Sequence, residues 1–311
     1  MRFVVNVSLV AISLFVPICT RAQPVPLPYT WAYAGGPGSG GSAGMIFCGI
    51  GPSNPLIGVG TYSAACTSAA GLPGASYTLF GRVGAGQTGA RVAINVAGVG
   101  FPGGPADSIQ ESWWALGYSR WTDRLSFAGV QPNTVELTVS WDGQVAGGLT
   151  FQNPDIYNLG QGGHSSATWN FTATSPNGQL ANYQGNASIV VSRYFPPGPA
   201  VNVAVVRTFV LPVGAAGYVD FLYDLSVAAN IHGSFYGNIQ VSGQLSANFE
   251  NTGKLIGLVA RDALGNDITT QTRYAFANGT QISAVPELGT GAMLGIGLLA
   301  MTGLSRRVRI G

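Results

Sequence analysis

Short runs of alternating apolar and polar residues, separated by turn-forming residues, dominate the chain from about residue 77 onward. The clearest pair is Val135–Trp141 (VELTVSW) and Gln144–Phe151 (QVAGGLTF), with Asp142-Gly143 between them. Period-two alternation places apolar side chains on one face of a strand, and Asp-Gly accepts the positive φ angles of a tight turn. The pattern therefore predicts a β-hairpin over residues 135–151.

The other strand candidates alternate with turn-forming sequences rather than with helices. No segment between them carries apolar residues at the spacing of an amphipathic helix. Many short strands without intervening helices predict an all-β fold, an antiparallel β-sandwich or jelly roll, over residues 76–284. The further candidates are Arg91–Val96, Trp121–Phe127, Thr168–Thr174, Ala187–Tyr194, Val201–Leu211, Tyr218–Ala228, Ser234–Leu245 and Lys254–Asp262.

Residues 1–22 have the layout of a cleavable signal peptide, which we expect to form a helix. Arg2 precedes an uncharged apolar run, Phe3–Cys19, which Pro17 interrupts near its end. This run is short for a helix that stays in the membrane. Small residues at positions 20 and 22 suit a signal peptidase, so cleavage is predicted between Ala22 and Gln23.

The segment 23–75 is predicted to be irregular and to contain a disulfide. Its stretch GGPGSGGSAG is rich in Gly and Ser, a composition typical of flexible chain. Cys19 leaves with the signal peptide, so the exported chain keeps Cys48 and Cys66, and an oxidising location favours a bond between them. The alternative is a metal site with two thiolates, but both histidines lie far along the sequence.

The low charge of the chain excludes one class of partner. Charged residues make up 8% of the sequence, against about 25% in typical soluble domains. Between Gln23 and Ala284 there are 9 basic and 11 acidic residues, a net charge of −2. Such a surface has no basic patch to neutralise phosphates, so we expect no nucleic-acid partner. A surface of Ser, Thr, Asn, Gln and Gly suits a neutral polysaccharide or a matrix, and drift in composition without a functional cause is the alternative.

The C-terminal residues 285–311 combine three features in order. Val285-Pro286-Glu287 precedes a Gly-rich apolar run without charges, and a cluster of arginines follows. A run of 18 residues is just long enough to span a membrane, and arginines favour the cytoplasmic side. The preceding residues would then lie outside the cytoplasm. The run is Leu288–Ser305, and the arginines are Arg306, Arg307 and Arg309.

This order resembles the PEP-CTERM sorting signal of Gram-negative bacteria that make exopolysaccharide. The resemblance implies export through the inner membrane, a transient hold by a C-terminal transmembrane helix, and cleavage near Pro286-Glu287 by the membrane enzyme exosortase. The product would reach the outer cell surface or the extracellular matrix. The family's second proline is Leu288 here, which departs from the motif. A plain C-terminal membrane anchor is the alternative.

Candidate chemistry in the core is sparse, and we expect no catalytic residue, cofactor or metal ion. The sequence GGSAG at 40–44 matches the G-x-S-x-G nucleophile motif, but no strand precedes it and no helix follows. A surface hydrolase using Ser42 is therefore the least favoured function. Asp262, Asn266 and Asp267 surround Gly265, and we expect a turn closed by their side chains rather than a calcium site.

The remaining titratable residues lack partners at useful spacing. Asp220 and Asp224 would share one face of a strand about 13 Å apart, which is too far for the carboxylate pair of a retaining glycosidase. His164 is expected in a loop and His232 near the start of a strand. Neither histidine has a neighbour at the spacing of a metal ligand or a catalytic partner.

Tryptophans near the middle of the chain are the candidate glycan contacts. Trp113, Trp114 and Trp121 lie within nine residues, and an exposed aromatic ring packs against the C–H face of a sugar. Burial in the core is the alternative. We therefore expect an exported, non-enzymatic structural or adhesive protein of the cell surface or exopolysaccharide matrix, with a glycan-binding module as the alternative.

Overall fold

The structure is a computed structural model of the 311-residue chain. It describes residues 25–36, 46–58, 60–67, 75–84, 86–100, 109–152, 162–192, 198–235 and 240–280. The predicted signal peptide with its cleavage site at Ala22 and Gln23, the motif around Ser42, and the sorting signal at 285–311 lie outside the described residues.

Fifteen β-strands and no α-helix make up the described part of the chain, and every strand pair is antiparallel. The all-β antiparallel prediction is confirmed. The strands are β1 (Tyr29–Gly36), β2 (Ile46–Ile50), β3 (Leu56–Ile57), β4 (Gly60–Thr67), β5 (Ala75–Gly84), β6 (Gln87–Gly100), β7 (Ile109–Gly129), β8 (Thr134–Gln152), β9 (Gly162–Ser175), β10 (Gly178–Ser192), β11 (Val201–Pro212), β12 (Tyr218–Phe235), β13 (Gln240–Phe249), β14 (Lys254–Arg261) and β15 (Thr272–Phe276).

Two sheets form a sandwich-like arrangement around one apolar core. The eight-stranded sheet has the order β10-β9-β12-β7-β1-β2, with β15 paired to β7 and β3 paired to β1. The seven-stranded sheet has the order β11-β8-β13-β6-β5-β4, with β14 paired to β6 and β8. Alternate residues of both sheets point into the core, where Trp113, Trp121, Trp141, Tyr223 and Phe171 are the largest fully buried side chains.

The hairpin predicted at 135–151 is wrong, because β8 continues without a turn from Thr134 to Gln152. Gly143 pairs with Val203 of β11 and does not have a left-handed φ angle. A Cβ atom at Gly143 would lie 2.3 Å from Cδ1 of Phe249. Gly143 therefore lies inside the strand because the Phe249 ring of the neighbouring strand packs against its backbone, and not because the chain turns there.

The N-terminal segment differs from the irregular segment predicted at 23–75, because strands β1 to β4 lie within it. In β1 the buried residues are small, with Ala32 and Ala34 fully buried, while the aromatic residues Trp31 and Tyr33 are part-exposed. This inverts the usual pattern of large apolar residues inward and polar residues outward. Strand β1 therefore alternates with period two, but its large apolar residues face solvent and its small residues face the core.

The structure places the two cysteines of the predicted disulfide on strands of different sheets. Cys48 lies on β2 of the eight-stranded sheet and Cys66 on β4 of the seven-stranded sheet. The side chains of both residues lie outside the described part of the chain. The disulfide is not shown and stays a prediction.

Candidate functional site

The solvent side of the eight-stranded sheet presents part-exposed side chains from five neighbouring strands, and we call it the outer face. Strand pairing aligns these side chains in rows across β1, β7, β12, β9 and β10. Neighbouring strands lie about 4.8 Å apart, so a row of five positions extends about 19 Å. One row is Trp31, Tyr118, Ser226, Thr168 and Asn186, and the adjacent row is Tyr29, Arg120, Asp224, Asn170 and Gln184.

Five part-exposed aromatic side chains lie together at the β1 end of the outer face, and we call them the aromatic cluster: Tyr29, Trp31, Tyr33, Trp114 and Tyr118. The ring centroid of Tyr118 lies 5.6 Å from that of Tyr29 and 5.6 Å from that of Trp31. Tyr33 contacts Trp31 at 5.3 Å and Trp114 at 4.9 Å between centroids. The five rings therefore form one continuous apolar surface that solvent reaches.

Uncharged polar side chains occupy the other end of the outer face. Strands β9 and β10 pair along almost their whole length and present hydroxyl and amide groups to solvent. Such groups donate and accept hydrogen bonds without a net charge. The residues are Ser166, Thr168, Asn170 and Thr172 on β9, and Asn182, Gln184, Asn186 and Ser188 on β10.

Two arginine–aspartate pairs lie between the aromatic cluster and the polar strands. Arg120 donates to Asp224 through Nε at 2.6 Å and Nη2 at 3.0 Å. Arg124 donates to Asp220 through Nε at 2.6 Å and Nη2 at 2.7 Å. Bidentate pairs of this kind fix the planes of both groups. Asp220 and Asp224 share the face predicted for them, and each is neutralised by its own arginine.

Tyr118 joins the aromatic cluster to the first of these pairs. Its hydroxyl donates to Oδ1 of Asp224 at 2.5 Å, and the guanidinium carbon of Arg120 lies 5.7 Å from its ring centroid. Burial and the hydrogen bond to Asp224 raise the pKa of the Tyr118 hydroxyl above its usual value of 10. The hydroxyl therefore stays protonated at physiological pH, and its proton fixes the ring beside the carboxylate.

Two cavities open side by side at this end of the outer face, and Tyr29 lines both. The first has a volume of about 330 Å³, and we call it the polar cavity after the ion pairs and threonines in its wall. Its lining combines Arg120, Arg124, Asp123, Asp220, Thr122, Thr172 and Thr174 with Tyr29 and the apolar residues Val25, Pro26, Phe221 and Leu222. The apolar cavity has a volume of about 440 Å³ and is lined by Leu27, Tyr29, Trp31, Pro52, Pro55 and Ile57. Both volumes fall in the range of about 300–1,000 Å³ that small-molecule sites occupy.

Two of the three predicted glycan contacts are wrong. Trp113 and Trp121 are fully buried, so neither ring presents a face to a sugar. Trp114 points to the opposite side of β7 and belongs to the aromatic cluster. The structure adds Trp31 and Tyr33 from β1, which the sequence reading missed. The alternation of Tyr29, Trp31 and Tyr33 with small residues was the signal that could have found them.

A buried carboxylate beside the polar cavity binds the last described residues of the chain. Asp123 is fully buried and lines the polar cavity. It accepts hydrogen bonds from the backbone N–H groups of Asn278 at 2.7 Å and Thr280 at 3.1 Å, and from the Thr280 hydroxyl. Trp121 Nε1 donates to that same hydroxyl oxygen at 2.8 Å. We call this set the Asp123 clasp.

The histidines differ from the expectation. His164 lies inside β9 rather than in a loop, and it pairs in register with Asn230 of β12. His232 lies near the end of β12, and its Nδ1 is 3.0 Å from Oδ1 of Asn230. No group of three or more potential metal ligands occurs within the described residues.

The turn predicted around Gly265 is confirmed by its hydrogen bonds. Oδ1 of Asp262 accepts from the backbone N–H groups of Leu264 and Asn266, both at 2.8 Å. These bonds hold the pKa of Asp262 below its usual value, with the side-chain hydrogen bond from Asn266 as the largest cause.

Comparison with known proteins gives no family. No protein-family model matches the chain, and no curated protein matches it. One alignment to a solved structure, described as "Structure of infectious bursal disease virus Gx strain", covers 93% of this chain and 77% of that chain. Its identity is 13% and its TM-score is 0.08, so it carries no argument about fold or function.

The part of the chain that the structure describes holds no helical segment with the length and hydropathy of a membrane span.

Proposed function

We propose that this protein is exported to the cell surface or the extracellular matrix and binds polysaccharide there through the outer face of its eight-stranded sheet. The observation that carries this proposal is the position of the aromatic cluster. Five contacting, part-exposed rings lie beside rows of uncharged hydroxyl and amide groups on one sheet face. A soluble protein seldom leaves contiguous large apolar side chains exposed without a binding role.

The chemistry of the face matches that of a sugar chain. The C–H face of a pyranose ring is apolar and packs against aromatic rings, while its hydroxyls need hydrogen-bond partners to replace water. The Ser, Thr, Asn and Gln side chains of β9 and β10 offer such partners. The matched Arg–Asp pairs leave no excess charge to attract an ionic ligand.

The location in this proposal depends on the two ends of the sequence. A signal peptide at 1–22, cleaved between Ala22 and Gln23, would start export. The PEP-CTERM-like segment, with Pro286-Glu287, a transmembrane helix and the arginine tail, would hold the chain in the inner membrane until exosortase cleaves it. The intact mass of the exported protein tests this: loss of both terminal segments supports it, and a retained Arg306–Gly311 tail contradicts it.

A structural or adhesive matrix protein without a discrete ligand is the second candidate. Strand β11 pairs only with β8 among the described strands and is an edge of its sheet. It exposes Val201, Val206 and Val210 to solvent. Unprotected apolar edge strands are typical places for chains to pair with one another.

A glycan array with the purified protein separates the two candidates. Trp31→Ala removes a ring from the centre of the aromatic cluster and is expected to weaken glycan binding about tenfold or more. Tyr274→Ala is the matched control, because Tyr274 is 40% exposed on β15 and lies outside the aromatic cluster. Equal binding by both variants and the unmodified protein, with normal unfolding curves, would contradict the proposal.

A further inference from the structure

We propose that the apolar cavity beside Tyr29 binds a small apolar substituent, such as the methyl of an O-acetyl group, carried by an uncharged polysaccharide. The sugar rings that bear this substituent would lie over Tyr29 and the polar cavity. This inference rests on the proposed function, because it names the class of polysaccharide that the outer face takes.

The apolar cavity exposes large apolar side chains in a concave setting. Leu27 is 60% exposed and Ile57 is 61% exposed, so solvent reaches most of both side chains. Tyr29, Trp31, Pro52 and Pro55 complete the lining. None of its six lining residues carries a charge, so the cavity favours an apolar group and offers few hydrogen bonds.

The apolar and polar cavities are adjacent, and this limits what a single ligand can be. Tyr29 lines both cavities, and its ring also lies 5.6 Å from the guanidinium carbon of Arg120. A ligand that occupies both must carry an apolar group within one or two sugar rings of several hydroxyls. An O-acetylated polysaccharide has this arrangement, whereas an unsubstituted one offers only its C–H faces to Tyr29 and Trp31 and leaves Leu27 and Ile57 uncovered.

Charge and strand pairing favour a sugar over a peptide. Both arginines of the polar cavity are already bound by aspartates, so an acidic side chain would find no unmatched cation. Strand β1 is paired with β7 on one side and with β2 and β3 on the other. An extended peptide therefore cannot add to either edge of β1.

The test compares two forms of one ligand. The probes are O-acetylated glucomannan and the neutral exopolysaccharide of the host, each before and after removal of acetyl groups with mild alkali. Calorimetry is expected to show binding of an acetylated form about tenfold tighter than its deacetylated form, since small apolar groups in an apolar pocket have effects of this size. Ile57→Ser and Leu27→Ser should remove this preference and leave the binding of the deacetylated form unchanged.

The control and the contrary outcomes separate this inference from the proposed function. Val210→Ser changes a side chain of matched exposure, 60%, on β11 of the other sheet and should retain the preference. Equal affinity for both forms, with binding still lost in Trp31→Ala, overturns the inference and leaves the proposed function standing. Binding of neither form overturns both. A dimer that Leu27→Ser dissociates would show that a second copy covers the cavity, and it also overturns the inference.

Discussion

The buried carboxyl group of Asp123 accepts four hydrogen bonds, three of them from the C-terminal end of the described chain. The three donors at the C-terminal end are the backbone N–H groups of Asn278 and Thr280 and the Thr280 hydroxyl. The fourth donor is the backbone N–H of Arg124, the residue that follows Asp123. Hydrogen bonds to a charged group are stronger than neutral ones, and the buried donors need a partner in any case. The clasp therefore ties residues 278–280 to strand β7, and four residues separate them from the segment 285–311 that is predicted to carry the sorting signal.

Removing the carboxylate should be costly. Asp123→Ala is expected to lower the free energy of unfolding by about 3 kcal/mol, because it leaves buried N–H groups without an acceptor. Urea unfolding measures this loss, and hydrogen exchange at the Thr280 amide should accelerate with it. Asp142→Ala is the matched control, since Asp142 is exposed and its change should stay within about 0.5 kcal/mol. Equal stability of the two variants would contradict the role given to the clasp.

Tyr223 shows the opposite case of a buried polar group that is not satisfied. Its hydroxyl is buried and has no hydrogen-bond partner among the described residues. Burial, and to a smaller extent the charge of Asp123, raise the pKa of this hydroxyl well above its usual value of 10. A raised pKa in the folded state contributes stability that is present below about pH 10 and is lost as the pH rises further.

Tyr223→Phe should therefore leave stability at pH 7 unchanged or slightly higher, because it removes an unsatisfied hydroxyl. The decline of the unfolding free energy between pH 9 and pH 11 should become shallower, since one buried phenol no longer ionises on unfolding. Urea unfolding across this range tests both points, with the exposed Tyr274→Phe expected to follow the unmodified protein. A loss above about 1 kcal/mol at pH 7 would show that the hydroxyl has a partner after all.

At the scale of strands, the period-two pattern predicted most elements but not their ends or partners. The runs around Val135, Thr168 and Tyr218 all became strands because their apolar residues are large and point inward. The turn predicted at Asp142-Gly143 is wrong, because the packing of Phe249 against Gly143 outweighs the local turn preference of these two residues. Phe249 is distant from Gly143 in sequence, so the residues around Gly143 do not indicate this contact. The local sequence alone therefore cannot distinguish a glycine in a turn from a glycine that packs against a ring.

The packing at Gly143 gives a prediction about β8. Gly143→Ala places a Cβ atom 2.3 Å from Cδ1 of Phe249 and should cost about 1–3 kcal/mol of unfolding free energy. Gly198→Ala is the control, because no atom lies within 4 Å of the added Cβ and its change should stay near zero. If Gly143→Ala were as stable as the control, the residue would be in a turn, as the sequence alone indicated.

The candidate site could be predicted only in part from the same pattern. Adjacent tryptophans on a strand must face opposite sides, and this principle places Trp114 on the outer face once Trp113 is known to be buried. Which of the two is buried depends on the second sheet. Trp31 lies more than 80 residues from Tyr118 in sequence, and their contact follows from the pairing of β1 with β7, which only the fold supplies.

At the scale of the whole molecule, a sandwich-like arrangement with few charges presents one sheet face that is rich in candidate ligand contacts. The eight-stranded sheet concentrates aromatic rings, matched ion pairs and uncharged polar rows on its outer face, next to two cavities of ligand size. The Asp123 clasp brings the C-terminal end of the described chain to the edge of the polar cavity. In the proposed account, Thr280, the last described residue, therefore lies beside the binding face.

Co-sedimentation of the exported protein with the extracellular polysaccharide of its host tests the central claim most directly. The account predicts that the unmodified protein and Tyr274→Ala sediment with the polysaccharide, and that Trp31→Ala and Tyr33→Ala stay in the supernatant while unfolding normally. If the two aromatic-cluster variants sediment as the unmodified protein does, the outer face is not the binding surface and the proposed function is wrong.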